Sequence, residues 1–253
     1  MLRDPNDRPS VWKILKSAIG KDLGKFCVPV YINEPISMIQ KVAELMEYED
    51  LLVQANNETD SKRRLMLIAC FGAAQYACSA RRTSKPFNPI LGETYEYVCP
   101  RFKYVGEQVS HHPPISAAFA TSEAYDFQMQ TETKMGLSVG YMKAVPIGLQ
   151  HIFLKKSGEH FSISRPMTQI KNLIFGNMYI EQVGEMKVTN YQTGEVCLID
   201  FKAEGWGGKN KHVLEGFAYN QNQPKLPTHR ISGTWTGTIS WQPMNPDGKK
   251  VNS

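Results

Sequence analysis

Tyr125-Asp126-Phe127-Gln128-Met129-Gln130-Thr131-Glu132 decides the fold class. In an extended chain this order puts Tyr125, Phe127, Met129 and Thr131 on one face and Asp126, Gln128, Gln130 and Glu132 on the other. The same period of two continues through Leu137, Val139 and Tyr141. It returns where Ile231, Trp235, Ile239 and Trp241 alternate with Ser232, Thr234, Thr236 and Ser240. Shorter strands are expected at Thr94–Val98, Phe102–Val109, Ile152–Leu154, Met186–Tyr191 and Val196–Lys202, with Gly158, Gly184, Gly194 and Gly205 as punctuation. Many short strands without helices between them predict an antiparallel meander that closes toward a barrel, and a barrel of this size encloses a cavity.

Upstream the period is helical. Pro9-Ser10 followed by Val11, Trp12, Ile14, Leu15, Ala18 and Ile19 predicts a short amphipathic helix, with Gly20 and Gly24 flanking its end. Cys27 to Ile32 reads as irregular or edge strand because of Pro29. Glu34-Pro35 is expected to open a second helix through Ile36, Ile39, Ala43 and Met46. A third, from about Ser61 to Ala80, begins with Lys62, Arg63 and Arg64 and then turns apolar on nearly every side, so it should be buried. The fold class is therefore mainly β with N-terminal helices (α+β).

Composition narrows the function. The 253 residues are 42% hydrophobic and 21% charged, an ordinary globular balance that excludes disorder. The longest nearly apolar run, Leu65 to Ala74, is about half a bilayer span, so no transmembrane helix is expected. Met1-Leu2-Arg3-Asp4-Pro5 lacks the apolar stretch of a secretory signal. Cys27, Cys70, Cys78, Cys99 and Cys197 are odd in number and lack a C-x-x-C pair, which reads as reduced thiols in a cytoplasmic protein. A net charge of +5 suits an anionic membrane surface and argues little for nucleic acid.

The densest chemistry lies between Lys85 and Ser116. Glu107-Gln108-Val109-Ser110-His111-His112-Pro113-Pro114 sets two histidines where two prolines stop regular strand pairing. There both imidazoles can turn toward one point, and a phosphate dianion would draw them into their cationic form. Lys85, just before the irregular Pro86-Phe87-Asn88-Pro89, can add a compact charge. A solvated histidine pair in a proline turn fits the spacing equally well. A metal centre does not, because no third ligand stands at helix or turn spacing. No cofactor is expected.

This string resembles the signature of the oxysterol-binding-protein family of lipid transfer proteins. Lys85-Pro86-Phe87-Asn88-Pro89-Ile90-Leu91-Gly92-Glu93 is similar to that family's second landmark. Val11-Trp12-Lys13-Ile14-Leu15, Val28-Pro29-Val30, Asn33-Glu34-Pro35 and Asn172-Leu173-Ile174-Phe175-Gly176 extend the likeness over nearly the whole chain. The resemblance implies an incomplete antiparallel β-barrel around an apolar lipid tunnel with an N-terminal lid. It divides residues 1–253, one lipid-binding domain, into a lid segment (1–30), a helical part (33–82) and a barrel (86–245).

By position, Lys85, Asn88, His111 and His112 would hold the headgroup of phosphatidylinositol 4-phosphate. Trp12, Leu15 and Ile19 would belong to the lid, and Gln75 and Tyr76 to the sterol tunnel. The implied function is exchange of sterol and phosphatidylinositol 4-phosphate between membranes through one shared tunnel, without enzymatic chemistry. The expected setting is a cytoplasmic monomer, peripheral on anionic membranes at organelle contact sites, with no nucleic-acid partner. A phosphatidylserine exchanger, or a sensor that binds lipid without moving it, would share this sequence. The family domain continues into a C-terminal segment that Asp247-Gly248-Lys249-Lys250 does not match. Either that segment lies outside these residues or the phosphate site lacks its groups.

Two rivals stand beside this reading. Gly136-Leu137-Ser138-Val139-Gly140 satisfies G-x-S-x-G, which serves hydrolases only on a strand-to-helix turn, and here it lies in period-two sequence. The basic pairs Arg63-Arg64, Arg81-Arg82, Lys155-Lys156 and Lys249-Lys250 could dock on anionic lipid by charge alone.

Overall fold

The computed structural model describes residues 30, 33–138, 140–174 and 176–245. The lid residues Trp12, Leu15 and Ile19 and the pair Lys249-Lys250 lie outside them. The described chain begins with β1 (Asn33–Ser37), α1 (Met38–Ala43), a 3-10 turn (Glu44–Tyr48), α2 (Asp50–Asn57), α3 (Ser61–Ala74) and a second 3-10 turn (Gln75–Ser79). β2 (Lys85–Phe87) pairs with β1 in parallel.

The remaining strands form one antiparallel sheet: β3 (Thr94–Val98), β4 (Lys103–His111), β5 (Pro114–Thr121), β6 (Tyr125–Ser138), β7 (Tyr141–Ile147), β8 (Gln150–Leu154), β9 (His160–Ile163), β10 (Met167–Lys171), β11 (Tyr179–Asn190), β12 (Glu195–Phe201), β13 (Val213–Asn220), β14 (Pro227–Thr234) and β15 (Ile239–Pro243). β7 and β8 lie along the long β6 in a single register, with Ile147 opposite Glu132 and Gln150 opposite Met129. β9 and β10 likewise share β11 as partner, offset by one residue. The two interrupted strands therefore each fill one place in a sequential meander whose edges are β3 and β15. Those edges are not paired with each other, which makes it a partly closed barrel.

The breaks fall side by side, at Gly148-Leu149 and at 164–166. Gly148 turns with φ +83°, where a residue without Cβ is favoured. Arg165 fills the gap. Its Nη2 donates to the carbonyls of Gln130 (3.0 Å) and Ile147 (2.8 Å), two acceptors beside the break.

The core joins helix to sheet. Asp60 caps α3 by accepting from the Lys62 and Arg63 amides. The helix then buries Leu65, Met66, Ile68, Ala69 and Phe71 in one cluster with Phe127, Ile163, Met186, Val188, Cys197, Ile199 and Ile231. Phe71 meets Phe127 edge-on at 6.1 Å. Gly72 lets the helix approach closely, since a Cβ there would stand 3.2 Å from Ile163 and 3.3 Å from Met186.

Three expectations need correction. Glu34-Pro35 lies in β1, and helix begins only after Ser37, whose side chain caps it with Gln40 in a reciprocal box. Pairing with Lys85–Phe87 outweighs the helical spacing there. Leu137 and Tyr141 do not share a strand, because a hairpin turn with Gly140 at φ +85° separates β6 from β7. Ile231 and Trp241 face each other across a second hairpin instead of continuing one strand. Period-two alternation survives a two- or four-residue turn, so the sequence pattern hides both.

Candidate functional site

Strand direction fixes which loops share an end of a meander. The connections that follow β4, β6, β10, β12 and β14 gather at the end where β4 finishes. His111 closes β4 at that end and His112 opens the turn, their ring centroids 4.8 Å apart and 64° between planes. Ser110 donates from Oγ to the Pro113 carbonyl at 2.8 Å and tightens the turn. His111 Nδ1 is buried and has no hydrogen-bond partner among the described residues. His112 is exposed.

The 88–93 segment is laced to the same strand. The Gly92 amide donates to the Gln108 carbonyl at 2.9 Å, and the Gln108 amide to the Glu93 carbonyl at 3.0 Å. Gln108 reaches Asn88 Oδ1 through Nε2 at 3.3 Å and accepts from Ser116 Oγ at 2.5 Å. Asn88 is thereby tied to the strand that carries the histidines. Lys85, half-buried, stands three residues before Asn88 in β2. Gln108 is a residue the sequence reading passed over. Its parity was the available signal, since Tyr104, Gly106 and Gln108 point inward on β4 while Val105, Glu107 and Val109 point out.

Gln75 and Tyr76 sit in the 3-10 turn after α3. Gln75 is 3% exposed and accepts from Gln150 Nε2 at 2.8 Å. Its own Nε2 and the Gln150 Oε1 are buried without partners among the described residues. Tyr76 packs edge-on against Phe201 at 5.4 Å, and burial pushes its phenol well up. Arg165 Nε is likewise buried and unpartnered, and burial pulls that guanidinium below its ordinary range. Buried polar atoms are costly when unmade, so a donor and an acceptor left open on one amide pair suit a small hydroxyl-bearing ligand.

The rival motifs resolve in place. Ser138 ends β6 before a strand-to-strand hairpin, so no nucleophile elbow forms there. No group of three or more His, Cys, Asp or Glu side chains able to hold a metal occurs among the described residues. Burial pushes the Cys70 thiol up to about 12 and Cys78 up to about 11, which keeps both as inert thiols. No described helix is long and apolar enough to cross a membrane. The basic pairs are partly spent inside the fold: Arg64 on Glu159, Arg82 on Glu34 and Glu44, and Lys155 on Asp126.

Comparison with known proteins agrees with this architecture. The family model described as Oxysterol-binding protein matches residues 10–253. The chain is 37% identical to Oxysterol-binding protein homolog 2 of Saccharomyces cerevisiae over 97% of its own length and 20% of that protein's. It is also 37% identical to Oxysterol-binding protein-related protein 3C of Arabidopsis thaliana, over 97% of the chain and 53% of the relative. Among solved structures, the Osh1 ORD domain in complex with ergosterol superposes with a TM-score of 0.87 at 35% identity, covering 95% of this chain and 58% of that one. The Osh3 ORD of Saccharomyces cerevisiae in complex with PI(4)P gives 0.82 at 29% identity, covering 92% and 63%. The chain thus spans about half, or less, of the curated relatives' length.

Proposed function

The chain belongs to the oxysterol-binding protein family, and from that premise we propose that it carries sterol and phosphatidylinositol 4-phosphate alternately between membranes in one shared tunnel. The observation that carries this reading is the paired imidazoles of His111 and His112 at the end of the sheet where β4 finishes, with His111 Nδ1 buried and without a partner among the described residues. Together with Lys85 and Asn88 they would clasp the inositol phosphate through charge-assisted hydrogen bonds. The open amide atoms of Gln75 and Gln150 would take the sterol hydroxyl, and relatives solved with ergosterol and with PI(4)P support one domain serving both lipids.

A sterol offers roughly 400 Å² of apolar surface, worth on the order of 10 kcal/mol against water. The bilayer supplies the same burial, so tunnel and membrane are nearly balanced and the barrier is the aqueous passage. Residues 1–253 act in this proposal as one lipid-binding unit, monomeric, with 1–30 closing over the cargo. Competition for one tunnel makes either lipid expel the other, and direction comes from gradients maintained elsewhere.

The test is extraction of labelled phosphatidylinositol 4-phosphate and labelled sterol from liposomes by the chain and by H111A/H112A. The parent should extract both, and the variant should lose phosphoinositide extraction at least about tenfold while keeping sterol. Unchanged phosphoinositide extraction overturns the headgroup assignment. Failure of the parent with both lipids overturns the transfer reading.

A further inference from the structure

The loop between β12 and β13, residues 202–212, holds the most exposed large apolar side chain of the described protein. Trp206 is 98% exposed. An indole left wholly in water forgoes the burial that a large aromatic side chain normally gains. The loop is not a loose excursion that exposes it by accident. The Gly205 amide donates to the Lys209 carbonyl at 2.7 Å, Gly208 to Gly205 at 3.2 Å, Lys211 to Gly208 at 3.2 Å and Val213 to Asn210 at 3.1 Å. Gly207 and Gly208 supply the left-handed turns, at φ +67° and +81°, that this folding-back demands. The backbone thus folds into a hydrogen-bonded turn with an exposed indole at its tip.

The charge around it is one-sided. From Lys202 to His212 the loop carries three lysines and one glutamate. Lys202 is held by Asp200 at 2.6 Å. Lys209 and Lys211 are exposed, the latter 5.9 Å from the centre of the Tyr179 ring. Glu204 is turned inward, its amide bonded to the Glu181 carboxylate and one of its own oxygens buried. The tip therefore shows solvent an amphipathic ring and two cations. Tryptophan settles at the headgroup level of a bilayer, and lysines beside it favour anionic lipid.

Topology places this tip at the end of the sheet that carries His111 and His112. We infer that the Trp206 loop is an interfacial anchor: the indole enters the headgroup layer of an anionic bilayer while Lys209 and Lys211 engage lipid phosphates, which presents the histidine end to the membrane. The inference deepens the lipid-transfer reading and rests on it for its purpose, though the anchoring can be measured without any transfer.

Co-sedimentation of the 253-residue chain is measured with phosphatidylcholine vesicles containing about one-fifth phosphatidylserine, and with pure phosphatidylcholine. W206A should bind the anionic vesicles at least about tenfold more weakly, from the loss of one buried aromatic side chain. K209Q/K211Q should lose about thirtyfold, at about 1 kcal/mol per lysine, with a shallower salt dependence. With brominated lipid, a quenched part of the tryptophan emission should vanish in W206F. Equal vesicle binding by W206A and the parent, or no binding by the parent, overturns the anchor. Trp206-dependent self-association in sedimentation velocity without vesicle binding would instead assign the tip to a second copy of the chain. Trp206-dependent vesicle binding with no lipid extraction would leave the anchor standing and overturn the transfer reading alone.

Discussion

Gln150 donates from Nε2 to Gln75 Oε1 at 2.8 Å, tying the turn after α3 to β8 through two side chains that are almost wholly buried. The second atom of each amide has no partner among the described residues. Removing one partner should therefore cost more than removing both. We expect Gln75→Leu to lower stability by about 1–3 kcal/mol, because it strands Gln150, and Gln75→Leu/Gln150→Leu to be nearly neutral. Both should bind a fluorescent sterol at least about tenfold more weakly. Chemical denaturation beside sterol titration separates the two effects. Full sterol affinity in the stable double variant would remove the pair from the sterol site.

Arg165 is expected to matter to the sheet through two carbonyls. Its Nη2 is the partner of Gln130 and Ile147 where β7 gives way to β8. Arg165→Met keeps the stem and deletes the donors, leaving both carbonyls short of a partner at a cost of about 1–3 kcal/mol. Amide exchange should rise most next to the break, around 147–150 and 164–167. Uniform protection with unchanged stability would mean that water serves those carbonyls equally well.

Acid should loosen the joint between α3 and the β8–β9 turn. Glu159 is buried against Arg64, which also grips the carbonyls of Glu58 and Thr59. Burial alone would raise the Glu159 carboxyl, but hydrogen bonds from Arg64, Asn190 and Ser157 outweigh it and hold the group below its ordinary 4.5. A carboxyl with a depressed folded value contributes stability that is fully present above 4.5 and is lost as pH falls through that lower value. Glu159→Gln should cost about 3 kcal/mol at neutral pH, since it leaves Arg64 buried and unpaired. The gap from the parent should then shrink as pH drops below about 4.5. Melting temperatures across pH 3 to 7 check this, and a pH-independent gap would assign the loss to packing alone.

Local residue patterns specify the strand-rich class, the buried third helix and the histidine turn. Each is written in residues close along the chain: the alternation from Tyr125 to Glu132, the apolar surface from Leu65 to Ala74, and two prolines after His112. Strand alternation and helical periodicity are local properties, legible wherever a face is buried. The family signature was legible for the same reason, as a contiguous string.

Long-range pairing sets the rest. Glu34-Pro35 became strand because Lys85–Phe87 lay beside it, and the hairpins hidden inside Leu137–Tyr141 and Ile231–Trp241 depended on which strands paired. Gln150, Arg165 and Gln108 gained their roles from partners that lie 75, 35 and 20 residues away. Trp206 reads in sequence as one more aromatic residue near a glycine. Its exposure, and its place at the same end as His111 and His112, follow from strand direction over some ninety residues of meander, and no local pattern encodes that.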